Sequence, residues 1–177
     1  MESITFVSTG GTIDKVYFDA MSQYEIGESV VSHILADALV TVPHDFVALM
    51  RKDSQDLTDA DRAQIVASIE AQPARQIIVT HGTDTMTTTA EALAGIKDKV
   101  IVLTGSLTPA RFHTTDAMFN IGLAVGAVQS KPAGVYIAMS GQVFDAGSVR
   151  KNRERNCFER VGDSPAGSGA LSSGARE

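Results

Sequence analysis

The chain has 177 residues, of which 44% are hydrophobic and 20% are charged, proportions that are ordinary for a single globular domain. Its formal net charge of −6 argues against a general affinity for nucleic acid or for an anionic membrane surface. The only cysteine, Cys157, excludes an internal disulfide and a cysteine-rich metal site.

The N-terminal segment has neither the basic start nor the long apolar run of a secretory signal. No apolar run approaches the roughly 18 residues that a membrane span requires. No two histidines lie at the spacing of metal ligands. We therefore expect a cytoplasmic protein that uses no metal or cofactor and binds neither nucleic acid nor membrane.

Short β-branched segments alternate with helical patterns along the chain. We predict strands at Ile4–Ser8, Phe46–Met50, Gln76–Thr80, Val100–Thr104 and Gly134–Met139. Helical patterns lie between them, at Ser29–Leu39, Asp59–Ala71, before Ala92-Leu93, and at Thr115–Val128. Continuously apolar strands separated by helices are typical of a parallel sheet that is covered on both faces. The pattern predicts a three-layer, doubly wound α/β fold with a flavodoxin-like, mostly parallel sheet.

Two pairs of residues have the spacing of a helix-capping box, in which an acidic residue follows a hydroxyl residue three positions later. They are Thr58 with Asp61, and Thr88 with Glu91. The predicted domain spans residues 1–161. Residues 162–177 are dominated by Gly, Ser and Ala, so we expect a disordered tail there.

Glycine and hydroxyl residues follow the predicted strands. The turn 9–12 reads Thr-Gly-Gly-Thr, and the turn 80–83 reads Thr-His-Gly-Thr with Asp84 next. In strand order 2-1-3-4-5 these two turns are neighbours, at the edge where such sheets bind ligands. Each turn alone is also explained as a connection, a phosphate cradle or a helix cap. Their joint placement predicts one crevice shared by Thr12 and Thr83.

Two segments resemble the signatures of the bacterial-type L-asparaginase family: Val7–Ile13 reads VSTGGTI, and Val79–Met86 reads VTHGTDTM. The resemblance extends over residues 1 to about 160, through Tyr24–Gly27, Asp53–Asp56, Leu103–Ser106, Asp116–Asn120 and Val143–Asp145 with Lys151. It implies an amidohydrolase that converts L-asparagine to L-aspartate and ammonia through a β-acyl-enzyme intermediate.

The resemblance also implies a role for each matching residue. Thr12 would attack the side-chain amide carbon, assisted by Tyr24 on a mobile lid. Thr83, Lys151 and Asp84 would relay protons and orient the attacking water. The residues implied in substrate binding are Gly11, Ser54, Gln55, Thr83 and Asp84. Which of the two threonines attacks first stays open from sequence spacing alone.

Lys151 can act as a base only when it is neutral. Arg150, Arg153 and Arg155 flank it, and a like charge favours the neutral form of an amine. The alternative interpretation is that residues 150–155 form a basic run in solvent.

Most members of the family have a second, C-terminal domain, which supplies an acidic residue to the active site of a neighbouring protomer. This sequence has no equivalent, so we expect weak affinity for asparagine, low activity on glutamine, and a homo-oligomer formed by helical surfaces. Four alternatives remain: a glutaminase-asparaginase, the amidase component of a tRNA-dependent amidotransferase, a non-catalytic amino-acid-binding module, and a fragment.

Overall fold

The computed structural model describes residues 2–18 and 23–162. The strands are β1 (Ile4–Ser8), β2 (Lys15–Phe18), β3 (Gln23–Ile26), β4 (His44–Ala48), β5 (Gln76–Thr80), β6 (Val100–Thr104), β7 (Gly134–Met139), β8 (Gln142–Asp145), β9 (Val149–Asn152) and β10 (Cys157–Arg160). The helices are α1 (Val31–Asp37), α2 (Asp59–Glu70), α3 (Met86–Leu93) and α4 (Ala117–Ser130).

Six strands form the main sheet, in the order β4-β1-β5-β6-β7-β8. The first five are parallel, which confirms the predicted flavodoxin-like order, and β8 adds an antiparallel edge. The predicted strand at 46–50 lies two residues too late, because β4 pairs from His44 opposite Ile4. As an edge strand with largely exposed side chains, β4 has a weak apolar pattern.

Helices cover both faces of the sheet, so the predicted three-layer fold is confirmed. Side chains alternate between the two faces of a strand. Phe6 and Ile78 belong to the core under α1 and α4, whereas Val7 and Val79 belong to the core under α2 and α3. The parallel pairing of β1 with β5 places their carboxyl ends side by side, at one edge of a sheet that is buried on both faces.

The two predicted capping boxes have different outcomes. At the start of α2, Thr58 and Asp61 form the full box: Oγ1 of Thr58 accepts the Asp61 N–H at 3.2 Å, and the Asp61 carboxylate accepts the Thr58 N–H at 2.8 Å. The box predicted at Thr88 is wrong, because α3 begins earlier, at Met86. Thr85, the residue before α3, donates its hydroxyl to the Ser54 carbonyl at 2.7 Å and so ties the start of the helix to the loop that carries Ser54.

Two small antiparallel hairpins stand outside the main sheet: β2–β3 follows β1, and β9–β10 follows β8. Val149 and Phe158 anchor β9–β10 in the core under α2 and α3. Lys151 lies two residues after Val149 and opposite Phe158, so strand alternation turns it inward with them.

Nearly all of the tail predicted to be disordered, 163–177, lies outside the described residues. Across 2–18 and 23–162, no helix is both long and apolar enough to cross a membrane.

Candidate active site

The two glycine-threonine turns pack backbone against backbone at the carboxyl ends of β1 and β5. Gly11 has φ of 98°, a conformation that favours glycine. A Cβ atom at Gly11 would lie 2.4 Å from the amide nitrogen of Gly82, so only glycine permits this approach. The Thr9 N–H donates to the Thr80 carbonyl at 3.0 Å and continues the pairing of the two strands into the turns. The neighbouring placement of the two turns agrees with the sequence prediction.

Thr12 begins a short 3-10 turn, Thr12–Asp14, and is partly exposed. Tyr24 lies on β3, in the hairpin that follows this turn directly. Its side chain is about half exposed, and its ring centroid lies 6.1 Å from that of Phe112. The tip of the hairpin, 19–22, falls outside the described residues, so the predicted lid motion stays a prediction.

Thr83, Lys151 and Asp84 form one hydrogen-bonded cluster. Nζ of Lys151 donates to Oγ1 of Thr83 at 2.7 Å and to Oδ1 of Asp84 at 2.9 Å. Thr83 is buried, and the Lys151 side chain is only 14% exposed. A hydroxyl, an amine and an orienting carboxylate within hydrogen-bonding reach are the arrangement that activates a hydroxyl nucleophile or a water molecule.

Ser54 and Gln55 lie on the other side of Asp84. Nε2 of Gln55 donates to Oδ2 of Asp84 at 2.8 Å, so the two carboxylate oxygens are held from opposite sides. Oγ of the buried Ser54 accepts the Asp84 N–H at 3.3 Å. A Cβ atom at Gly82 would lie 2.6 Å from that Oγ, so the second glycine turn also rests on Ser54.

The electrostatics of the cluster centre on Asp84. The hydrogen bonds from Lys151 and then from Gln55 lower the pKa of its carboxyl below the ordinary value of 3.8, against a smaller opposing effect of burial. A guanidinium nitrogen of Arg153 lies 3.9 Å from the same carboxylate. Asp84 is therefore an anion at neutral pH.

The basic run around Lys151 is arranged differently from its sequence. Arg150 and Arg155 form ion pairs with Glu159, at 2.8 and 3.6 Å. Lys151 itself faces Asp84. Two of the three flanking arginines are therefore paired away from the amine of Lys151, whereas Arg153 shares the Asp84 carboxylate with it.

His81 belongs to the second turn, is fully buried and contacts α3. Its Nδ1 lies 2.7 Å from the Gly82 carbonyl, and its Nε2 lies 2.8 Å from Oγ1 of Thr89. Burial lowers the pKa of the imidazole to about 4. With both ring nitrogens bonded inside the protein, His81 has a structural role, as a lone histidine at a strand end suggests.

Asp14 is the residue that the sequence analysis missed. It is 1% exposed, and burial raises the pKa of its carboxyl to about 6, against smaller opposing effects of hydrogen bonds from Val30 and Ser8. Its position two residues after Thr12 was visible in the sequence, but its burial depends on how α1 packs and was not.

Within 2–18 and 23–162 there is no group of three or more His, Cys, Asp or Glu side chains that could hold a metal ion.

Comparison with known proteins assigns the chain to a family. The family model described as "Asparaginase, N-terminal" matches residues 3–171. The chain belongs to the asparaginase family. This match extends past residue 161, where we placed the end of the domain.

Two relatives show the range of this asparaginase family. The chain is 29% identical to one component of the glutamyl-tRNA(Gln) amidotransferase of Haloquadratum walsbyi, over 94% of this chain and 41% of the relative. It is 29% identical to a probable periplasmic L-asparaginase of Haemophilus influenzae, over 85% of this chain and 46% of the relative. The chain thus spans less than half the length of these relatives. Because one of them is named as periplasmic, the compartment of this protein stays a prediction.

Among solved structures, the thermostable L-asparaginase of Thermococcus kodakarensis superposes with a TM-score of 0.78. The match covers 92% of this chain and 52% of that one, at 24% sequence identity. It shows that the two chains share a fold.

Proposed function

We propose that the protein is an amidohydrolase that converts L-asparagine to L-aspartate and ammonia, with Thr12 as the nucleophile. The observation that carries this proposal is the Thr83–Lys151–Asp84 cluster at the turn that packs against the Thr12 turn, because hydrolysis of an ester on Thr12 needs a base for the attacking water. Membership of the asparaginase family supports the reaction class.

In the first half-reaction, Oγ1 of Thr12 attacks the amide carbon of the substrate side chain. The hydroxyl proton leaves with the assistance of Tyr24 and is delivered to the leaving nitrogen, the C–N bond breaks, and ammonia departs. A β-aspartyl ester on Thr12 remains. Backbone N–H groups of the two glycine turns stabilise the tetrahedral oxyanion, and one such donor typically contributes about 3–4 kcal/mol to transition-state stabilisation.

In the second half-reaction, water attacks the ester carbon. Oγ1 of Thr83 accepts a proton from the water and passes its own proton to Nζ of Lys151, which serves as the base in its neutral amine form across the 2.7 Å contact, while Asp84 holds the lysine in place. The proton returns to Oγ1 of Thr12 as the ester C–O bond breaks, which releases aspartate and restores the enzyme.

The α-amino and α-carboxylate groups of the substrate are assigned to Asp84, Ser54 and Gln55. Asp84 is an anion near the crevice and suits an ammonium group. Ser54 and Gln55 supply a hydroxyl and an amide that already hydrogen-bond to Asp84 or its backbone, so substrate binding rearranges this network. Gly11 admits the substrate close to the backbone.

The assignment of the nucleophile is tested by trapping the ester. Asparagine is mixed with the wild-type protein, the reaction is quenched in acid, and peptides are mapped by mass spectrometry. A β-aspartyl group on Thr12 is the expected result. The same group on Thr83 would reassign the nucleophile, and the Thr12→Ala variant is the matched control.

The likeness to a glutamyl-tRNA(Gln) amidotransferase component favours a second candidate, an amidase whose ammonia is used by a partner. Under this alternative, ammonia release by the isolated chain is slow and rises when the partner is present. Ammonia release from asparagine by the chain alone, at a rate unchanged by cell extract, supports the stand-alone enzyme.

We also propose a homo-oligomer. Phe112, Met118 and Phe119 are large apolar side chains that are 44%, 47% and 65% exposed, around the start of α4. Large apolar side chains exposed in one segment are typical of association surfaces. Sedimentation of the protein and of Phe119→Ser tests this assignment, and equal monomeric mass for both contradicts it.

A further inference from the structure

The buried residue Asp14 makes four hydrogen bonds, two through its carboxylate and two through its backbone. Oδ1 accepts the Val30 N–H at 3.0 Å, and Oδ2 lies 3.5 Å from the Ser8 hydroxyl. The Asp14 carbonyl accepts the Gly27 N–H at 2.9 Å, and the Asp14 N–H donates to the Gly11 carbonyl at 3.1 Å. The same residue therefore joins the end of β1, the glycine turn, the end of the β2–β3 hairpin and the start of α1.

These contacts close a loop in the chain. The hairpin that carries Tyr24 leaves the Thr12 turn at Lys15 and returns at Gly27. Asp14 bonds to the returning chain at both Gly27 and Val30, so the base of the hairpin is fixed to the turn that begins with Thr12. The orientation of Tyr24 relative to Thr12 depends on this base.

We propose that Asp14 is a positioning residue for the reaction, whose ionised carboxylate fixes the Tyr24 hairpin against the Thr12 turn. This inference rests on the function proposed above. A charged acceptor holds a backbone N–H more strongly than a neutral one does. Protonation of Asp14 therefore weakens the bond to Val30, where the chain passes from the hairpin into α1, and slows the step that Tyr24 assists, although the bond from Gly27 to the Asp14 backbone carbonyl stays.

The groups around Asp14 decide whether its charge is present. Burial disfavours the anion, whereas the Val30 N–H, the Ser8 hydroxyl and the more distant cations of Arg111 and Arg51 favour it. Arg51, which lies just beyond β4, is itself paired with Glu28 at 3.2 Å. The balance places the pKa at about 6, so the switch from neutral to charged falls within the range of an activity assay.

The first test is the pH dependence of kcat for asparagine in wild type and Asp14→Asn. Asparagine at this position keeps the shape and an acceptor for Val30 but cannot ionise. We expect the wild-type kcat to fall on the acid side of pH 6. We expect Asp14→Asn to lose that fall and to be about fivefold slower than wild type at pH 8, the difference between a charge-assisted and a neutral hydrogen bond. An unchanged acid limb in Asp14→Asn would overturn the proposal.

A matched control uses Asp61→Asn, which removes a carboxylate from the start of α2. The Lys52 hydrogen bond lowers the pKa of Asp61 to about 2, so Asp61 does not titrate near pH 6. The acid limb of kcat should persist in this control. Its loss would show that the limb reports general destabilisation, which overturns the assignment to Asp14.

A second test needs no catalytic activity. The chain contains no tryptophan, so Tyr24→Trp places a single tryptophan on the hairpin, whose emission is read separately from that of the remaining tyrosines. We expect its emission to change with a midpoint near pH 6 and to stay constant when Asp14→Asn is added. A transition that persists in the double variant, or that is absent from Tyr24→Trp, overturns the proposal. If wild type releases no ammonia from asparagine, the proposed reaction fails, and the fluorescence still decides the role of Asp14.

Discussion

Replacing Asp14 with asparagine should stabilise the fold at neutral pH while it slows catalysis. The carboxyl pKa is about 6 in the folded protein, raised mainly by burial from an ordinary value of 3.8. As the pH rises, the unfolded chain therefore loses this proton first, and the free energy of unfolding falls. The favourable contribution of protonated Asp14 to the free energy of unfolding is fully present below pH 3.8 and is lost as the pH rises past 6.

The magnitude follows from the two pKa values. A difference of this size corresponds to about 3 kcal/mol at full ionisation, and roughly 2 kcal/mol of it develops between pH 4.5 and pH 8. Because Asp14 is 1% exposed, solvent screens little of this cost. Asparagine avoids it, since its oxygen accepts the Val30 N–H and its amide can donate to the Ser8 hydroxyl.

Urea unfolding followed by circular dichroism measures the effect at both pH values. Every other titrating group cancels in the difference between wild type and Asp14→Asn. We expect the stability of the variant relative to wild type to increase by about 2 kcal/mol from pH 4.5 to pH 8. A difference that is flat with pH, or that moves the other way, refutes the assignment of a buried, charged Asp14.

Three further predictions concern the site itself. Lys151→Met should lower kcat by about 10²–10⁴, the usual contribution of a general base, and a kcat within threefold of wild type would remove Lys151 from the relay. Asp84→Asn should raise KM for asparagine. This rise in KM should persist down to about pH 4, because the pKa of Asp84 lies below 3.8 and the wild-type residue stays charged. Steady-state rates of both proteins at pH 5 and pH 8 measure the two KM values. Gly11→Ala should destabilise the protein by about 3 kcal/mol, because the new Cβ meets Gly82 at 2.4 Å and the backbone there has a conformation that favours glycine. Gly95→Ala is the control in thermal melts, because a Cβ at Gly95 enters open space. Equal melting temperatures for the two alanine variants would contradict the contact between the turns.

The buried strands were predictable from sequence because burial on both faces demands continuous apolar runs. β1, β5, β6 and β7 have the bounds expected from their sequences. The edge strand β4 was misplaced by two residues, since half of its surface faces solvent and its pattern is weak. Sequence periodicity therefore located the core and the edge of the sheet where the two turns meet.

The contacts within the site were less predictable, because they join residues that are far apart in the chain. Lys151 reaches Thr83 only because the β9–β10 hairpin packs Val149 and Phe158 into the core. Family resemblance suggested this pairing, but local sequence did not. The burial of Asp14 arises from the docking of α1, which no local pattern reports.

Ammonia release from asparagine by wild type, Thr12→Ala and Thr83→Ala tests the central claim most directly. Rates at saturating asparagine should fall at least about a hundredfold in each variant, and calorimetry should show that each variant still binds asparagine. Ammonia release that survives in both variants, or that is absent from wild type while asparagine still binds, would contradict threonine-based hydrolysis by this site.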